Sequence, residues 1–160
     1  MYSKQFILLL TALLVSVVAA RPASAKEPPA DLCALLPASQ VSTITGHPYD
    51  EPAKTVAPRP YANTVQGSDC SYKQSKSSRG SGILFRAYAD PTPAAASDLF
   101  AKLGLFYSPQ TPVAGMGDKA YFDPNHGPHV LKGRVRFFIS MDSFDEKQAK
   151  ALANYVIGQL

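Results

Sequence analysis

The chain has only two cysteines, few charged residues and no regular spacing of glycine, and each feature excludes a class of protein. Two cysteines among 160 residues cannot form the framework of a disulfide-dense miniprotein. A charged fraction of 18% beside a hydrophobic fraction of 46% argues against intrinsic disorder. The 14 prolines occur without the glycine period of collagen. These properties indicate one globular domain with a buried apolar core.

The first 25 residues have the pattern of a secretory signal peptide. Lys4 precedes an apolar run over 6–20, and Ala23 and Ala25 place small residues before a cleavage site. As a helix this run spans about 22 Å, short of the roughly 30 Å hydrocarbon core of a bilayer. We therefore predict cleavage after Ala25, export to the periplasm or the medium, and no transmembrane segment in the mature chain.

Cleavage also changes the charge of the protein. Loss of Lys4 and Arg21 leaves 14 basic and 12 acidic residues, so the formal net charge falls from +4 to +2. This balance lacks the basic excess typical of nucleic-acid binding, and we predict no nucleic-acid partner. Residues 26–30 are proline-rich and are predicted to be a flexible lead to a single domain over 31–160, which we expect to be a monomer.

Cys33 and Cys70 are predicted to form one disulfide in an oxidising compartment. A metal site would need more ligands at closer spacing. The alternative is a lipid-modified Cys33. Its flanks argue against that modification, because Asp31 and Leu32 precede the cysteine and the apolar run ends at Ala20.

The spacing of apolar residues predicts helices alternating with pairs of strands. Helices are predicted over 38–45, over 94–103, and from a capping box at Ser143 and Glu146 to the end of the chain. Strands are predicted over 70–74, 82–89 and 119–122, and as a hairpin over 129–141. Residues 47–68 are predicted to be a long loop. This order indicates an α+β fold, an antiparallel sheet of four to five strands flanked by about three helices.

The segment 129–141 allows two interpretations. A hairpin turning at Gly133 is preferred, and one long strand is the alternative. In both, Val135, Phe137 and Ile139 form an apolar face, and Arg134 and Arg136 are expected to face solvent.

Several short motifs occur in an order that resembles a known group. They are Cys33-x-Leu-Leu-Pro, Cys70-Ser-Tyr, Gly115-Met-Gly-Asp-Lys-Ala-Tyr, the Lys132-Gly133 turn and the terminal helix. The chain looks like small bacterial exported proteins and lipoproteins of unknown function, many of them actinobacterial. The resemblance implies a helix-flanked antiparallel sheet with a Cys33–Cys70 bridge, and it supplies no catalytic residues. Many members carry a lipid on a cysteine just after the signal peptide, and this chain has no cysteine at that position.

Asp123, His126 and His129 form the pattern D-x-x-H-x-x-H, which places three ligand types of Zn²⁺ or Cu²⁺ in one turn. A small metal-dependent hydrolase is therefore one alternative function. The other interpretation is a polar turn, because proline, asparagine and glycine lie between these residues. No serine lies in a G-x-S-x-G motif and both cysteines are assigned to the bridge, so the sequence favours a non-enzymatic function over an enzyme, which stays open, and we predict no cofactor.

Tyrosines and arginines recur on the predicted strands. The candidate binding residues are Arg86, Tyr88, Tyr121, Arg134 and Arg136. Tyr72 also falls on a predicted strand and belongs to the same pattern. If their sheet faces coincide, they line a shallow surface suited to an anion, glycan or peptide. The alternative is the ordinary protection of edge strands and solvated faces. We therefore predict a binding or accessory module of the cell envelope, with an envelope ligand or protein as partner; a purely structural envelope protein is a further alternative.

Overall fold

The computed structural model describes residues 26–58, 64–76, 82–104, 110–124 and 126–160, so the predicted signal peptide lies outside the described residues. The described chain contains three α-helices, a short 3-10 helix and seven strands. The helices are the 3-10 helix (Leu32–Leu35), α1 (Ala38–Thr45), α2 (Pro93–Gly104) and α3 (Glu146–Gln159). The strands are β1 (Ala53–Val56), β2 (Gln66–Lys73), β3 (Gly82–Ala89), β4 (Thr111–Pro112), β5 (Lys119–Asp123), β6 (Gly127–Lys132) and β7 (Val135–Met141).

All seven strands form one antiparallel sheet in the order β1-β2-β3-β7-β6-β5-β4. The α+β class, the three α-helices and the disulfide are confirmed, but the predicted number of four to five strands is too low. The two strands at the edges account for the difference. β1 lies within the predicted loop 47–68 and is exposed along its whole length, and β4 has only two residues. Neither strand therefore shows the alternation that marks a half-buried strand.

The sheet has helices on both faces. On one face, Phe85 and Phe137 pack with Leu152 and Val156 of α3 in the main core, which also includes residues of α1 and the 3-10 helix. The predicted apolar residues of β7 all belong to this core. On the other face, Phe100 of α2 packs with strand residues in a smaller cluster. Residues that alternate along the central strands are thus buried on both sides of the sheet.

The hairpin interpretation of 129–141 is confirmed. β6 and β7 pair antiparallel with Lys132 opposite Val135, which leaves Gly133 and Arg134 as a two-residue turn. Gly133 has a φ of 57°, a left-handed conformation that glycine adopts without steric cost and that such turns require.

The predicted capping box of α3 is wrong in its position. The helix begins at Glu146, and its N-cap is Asp145, whose carboxylate accepts a hydrogen bond from the backbone N–H of Gln148 at 2.9 Å. Ser143 lies two residues earlier, outside the helix. Aspartate is as good an N-cap as serine, so the local sequence offers two competing starts.

The two cysteines of the chain, Cys33 in the 3-10 helix and Cys70 in β2, form a disulfide inside the main core. Tyr72 lies on the same face of β2, and its hydroxyl donates a hydrogen bond to the carbonyl of Leu36. Burial raises the pKa of Tyr72 well above its ordinary value. In the described part of the chain, no helix has both the length and the apolar character to cross a membrane.

Residues 26–30, predicted to be a flexible lead, contact the domain at three points. Lys26 Nζ donates a hydrogen bond to the carbonyl of Gln159 at 3.3 Å. Glu27 forms an ion pair with Arg134 at 2.7 Å, and the carbonyl of Ala30 accepts a hydrogen bond from the side chain of Gln66.

Candidate functional site

A row of side chains crosses the sheet on the face that α2 covers. The row contains one residue from each of five neighbouring strands, and the strand pairing places each residue directly opposite the one on the adjacent strand. In order across the sheet they are Asp69, Arg86, Phe138, His129 and Tyr121. Cross-strand neighbours on one face lie close enough to interact, so the register alone aligns these groups.

The row is a continuous series of stacked rings. The ring centroids of Tyr121 and His129 are 4.7 Å apart, and those of His129 and Phe138 are 5.0 Å apart. At one end, Phe100 of α2 packs against Tyr121 with a centroid distance of 5.2 Å. At the other, the guanidinium carbon of Arg86 lies 5.5 Å from the Phe138 ring centroid, within range of a cation–π interaction.

The row ends at an ion pair. Arg86 donates two hydrogen bonds to Asp69, from Nε at 2.5 Å and from Nη2 at 2.6 Å. This bidentate geometry orients the guanidinium plane and balances its charge. The arginine therefore contributes a flat, hydrogen-bonded surface and little net charge.

A second row runs beside the first and contains Tyr88 and Arg136, which the β3–β7 pairing places opposite each other. The guanidinium carbon of Arg136 lies 4.8 Å from the centroid of the Tyr88 ring. That ring covers Gly67 of β2, where an added Cβ would lie 2.9 Å from Tyr88 Cδ1. The Tyr88 hydroxyl donates a hydrogen bond to the Pro58 carbonyl at 2.8 Å. The Tyr88 ring therefore packs against Arg136 and Gly67, and its hydroxyl is fixed by the hydrogen bond to Pro58.

Arg136 is part of a buried polar network. Its Nε donates to Asp90 Oδ2 at 2.5 Å, and its Nη2 reaches Asp90 Oδ1 at 3.1 Å and Thr64 Oγ1 at 3.2 Å. Arg136 and Asp90 are 2% and 0% exposed, so the pair lies almost wholly out of solvent. Among the described residues, no hydrogen-bond partner reaches Nη1 of Arg136.

These rows line a cavity of about 170 Å³ between the sheet and α2. Its walls include Arg86, Tyr88, Phe100, Tyr121, His129 and Arg136. An apolar protein cavity of about 150 Å³ is large enough to hold benzene. The cavity therefore has the size for a single ring with a small substituent, and Arg86 and Arg136 line it together with mostly aromatic side chains.

His129 lies in the middle of this wall and is 6% exposed. Burial lowers the pKa of His129 to about 4; nearby Asp123 opposes that shift and His126 adds to it. The imidazole is therefore uncharged at neutral pH and acts as one more flat ring in the stack.

Four of the five predicted binding residues, Arg86, Tyr88, Tyr121 and Arg136, meet at this one cavity. Arg134 lies elsewhere, in the β6–β7 turn. The expectation that Arg136 faces solvent is wrong, because the second face of the sheet is also covered. The predicted alternation along the strand, with Val135, Phe137 and Ile139 on the apolar face, is correct. Tyr72 lies on the opposite face, in the main core.

Sequence reasoning missed several residues of the site. The sequence pattern predicts His129 only as a metal ligand, and it does not predict Phe138, Phe100, Asp90 or Thr64 as binding residues. The alternation of His129 with Val130 in β6 was a usable signal for a shared face with Leu131. In the network around Arg136, Asp90 lies 46 positions away in the sequence and Thr64 lies 72 positions away. No short sequence pattern could therefore indicate this network.

The proposed metal turn does not assemble a set of three ligands. His126 Nδ1 lies 2.8 Å from Asp123 Oδ2. His129 instead stacks in the aromatic row. Nowhere in the described residues do three histidine, cysteine or acidic side chains group in a way that would hold a metal ion.

Comparison with known proteins shows a similarity in fold and none in sequence family. No family model and no curated protein matches the sequence. The extracellular domain of PknH from Mycobacterium tuberculosis has a similar structure, with a TM-score of 0.53 and 12% sequence identity. The match covers 83% of this chain and 97% of that domain. At this identity the likeness concerns the fold alone.

Proposed function

We propose that the protein is an exported binding module that holds a small, ring-containing ligand in the cavity between the sheet and α2. Export is supported by the signal-peptide pattern and by the disulfide, a bond that persists in oxidising compartments. The fold likeness to an extracellular domain agrees with this location.

The observation that carries the proposal is the composition of the cavity. Ligand sites in proteins are concave and mostly apolar, with a few fixed polar groups that orient the ligand. Here the stacked rings of Tyr121, His129 and Phe138 supply the apolar wall, and Arg136 supplies a fixed polar group. The metal-dependent hydrolase has no comparable support among the described residues.

A titration with benzamide, followed by NMR of the exported protein, tests this function. We expect saturable shifts of the backbone amides of Arg86, His129 and Phe138, because these residues surround the cavity. The amides of Lys147 and Ala151, on the exposed side of α3 away from the sheet, should not move.

Two variants provide a matched comparison. Leu103→Trp enlarges a side chain that lines the cavity and should abolish the saturable shifts by filling the space. Phe144→Trp adds the same indole at a residue that is 44% exposed and outside the cavity, and binding should persist. Unsaturable shifts spread over the surface, or unchanged binding by Leu103→Trp, would contradict the proposed function.

A further inference from the structure

We infer that the ligand group in this cavity is a neutral ring bearing a hydrogen-bond acceptor, such as a carbonyl or hydroxyl oxygen, which accepts from Nη1 of Arg136. This inference rests on the proposed function and specifies the chemistry that the same cavity selects.

The charges around the cavity argue for a neutral ligand. Each arginine of the wall already has a carboxylate partner, Asp90 for Arg136 and Asp69 for Arg86. An anion in the cavity would share each cation with that carboxylate and would lose its own hydration. The two paired arginines therefore favour a neutral ligand over the anion that the sequence pattern offered beside a glycan or a peptide.

The geometry of Arg136 identifies the donor. Asp90 occupies the edge of the guanidinium formed by Nε and Nη2, and Thr64 also accepts from Nη2. Nη1 lies away from that edge of the planar fork and is buried without a described partner. A buried donor without an acceptor costs free energy, so a ligand acceptor that reaches Nη1 removes this cost on binding.

The neighbouring walls define the rest of the ligand. Tyr88 stacks against the same guanidinium, and the row from Phe138 to Tyr121 presents ring faces and edges. Offset stacking and edge contacts favour another planar ring. A cavity of about 170 Å³ holds one such ring and excludes a chain of several sugars.

Three probes of similar shape separate the possibilities on the unmodified protein at pH 7. Benzamide carries a neutral acceptor, toluene carries none, and benzoate carries a negative charge. We expect benzamide to bind at least about tenfold more tightly than toluene, the gain typical of a hydrogen bond to a charged donor, and more tightly than benzoate.

Three other outcomes of the probe series would each overturn a different part of the inference. Equal binding of benzamide and toluene overturns the role of Nη1 but leaves the binding function intact. Tightest binding of benzoate overturns the neutral-ligand inference in favour of an anion site. Absence of saturable binding by all three overturns the proposed function as well.

Arg136→Lys then tests the donor directly. Lysine keeps a positive charge beside Asp90 and lacks the planar fork, so the preference for benzamide over toluene should fall while toluene binding persists. Arg134→Lys makes the same chemical change in the β6–β7 turn, outside the cavity, and should keep the preference. A retained preference in Arg136→Lys would contradict the assignment, and if that variant does not fold, the probe series on the unmodified protein decides.

Discussion

Arg136 and Asp90 form the most buried ion pair described in the structure, and removing one partner should be costly. Arg136→Met leaves the Asp90 carboxylate buried without its cation, and we expect the free energy of unfolding to fall by about 3–5 kcal/mol. Lys54→Met is the matched control, because Lys54 pairs with Asp31 where the two side chains are 52% and 47% exposed. The loss of unfolding free energy in Lys54→Met should stay below about 1 kcal/mol. Urea denaturation of both variants measures the difference, and equal losses would contradict the buried pair.

His129 should make stability depend on pH in a mildly acidic range. Its pKa of about 4 in the folded protein lies below the 6.5 of an ordinary histidine. The unfolded chain therefore binds the proton first as pH falls, and stability decreases from about pH 6.5 downward until the folded form is also protonated near pH 4. Integrated over that range, the loss amounts to roughly 3 kcal/mol.

The variant His129→Phe isolates this contribution. Phenylalanine keeps a ring between Tyr121 and Phe138 and does not titrate, so the carboxylates that titrate in the same range remain in both proteins. Unfolding free energies measured from pH 7 to pH 4 should decline less steeply in the variant. Parallel pH profiles would show that His129 is not the group responsible.

For single residues, the sequence predicted which strand residues share a face but not what covers that face. Alternation in β7 correctly places Phe137 in the main core and Arg136 outside that core. An arginine opposite an apolar stripe ordinarily faces solvent. Burial of Arg136 depends on Asp90, which follows β3, and on α2, and no pattern within β7 encodes either one.

The start of α3 can be tested by substitution, because the sequence pattern predicts Ser143 as the N-cap and the structure has Asp145 there. Asp145→Ala removes the carboxylate that accepts from the N–H of Gln148, and we expect a loss of about 1 kcal/mol in unfolding free energy. Ser143→Ala should change it by less than about 0.5 kcal/mol, because Ser143 lies outside the helix. Thermal unfolding of the two variants compares them, and the reverse order would restore the capping box predicted from the sequence.

The elements that could be predicted from the sequence are those with a buried side. α1, α2, α3 and the central strands each show apolar periodicity, and Gly46 ends α1 in a left-handed conformation, as expected of a helix C-cap. β1 and β4 were missed because their pairing depends on a neighbouring strand and on few buried side chains of their own. The extension of β2 back to Gln66 was missed for a related reason: Gly67 has no side chain to contribute to an alternating pattern.

For the molecule as a whole, the disulfide joins the start of the domain to β2, the strand next to the edge strand β1. Cys33 and Cys70 are 37 positions apart, and the segment between them contains α1 and β1. The chain-entropy account of cross-links assigns about 4 kcal/mol to closing a loop of this length. The bond should therefore supply a large share of a stability that is typically about 5–15 kcal/mol for a domain.

Reduction of the unmodified protein measures this contribution without changing any side-chain volume. We expect the reduced protein to unfold at a clearly lower urea concentration than the oxidised protein, with a difference in free energy of a few kcal/mol. The variant Cys33→Ala should lose somewhat more, because Cys33 is 2% exposed and its truncation also leaves unfilled space in the core. Secondary structure should survive in both at low temperature, since α1 packs on α3 and β2 pairs with β3 through contacts independent of the bond. Coincident unfolding curves of the reduced and oxidised protein would contradict a stabilising role, and they would mean that the non-covalent contacts of the segment before α1 hold the start of the domain in place.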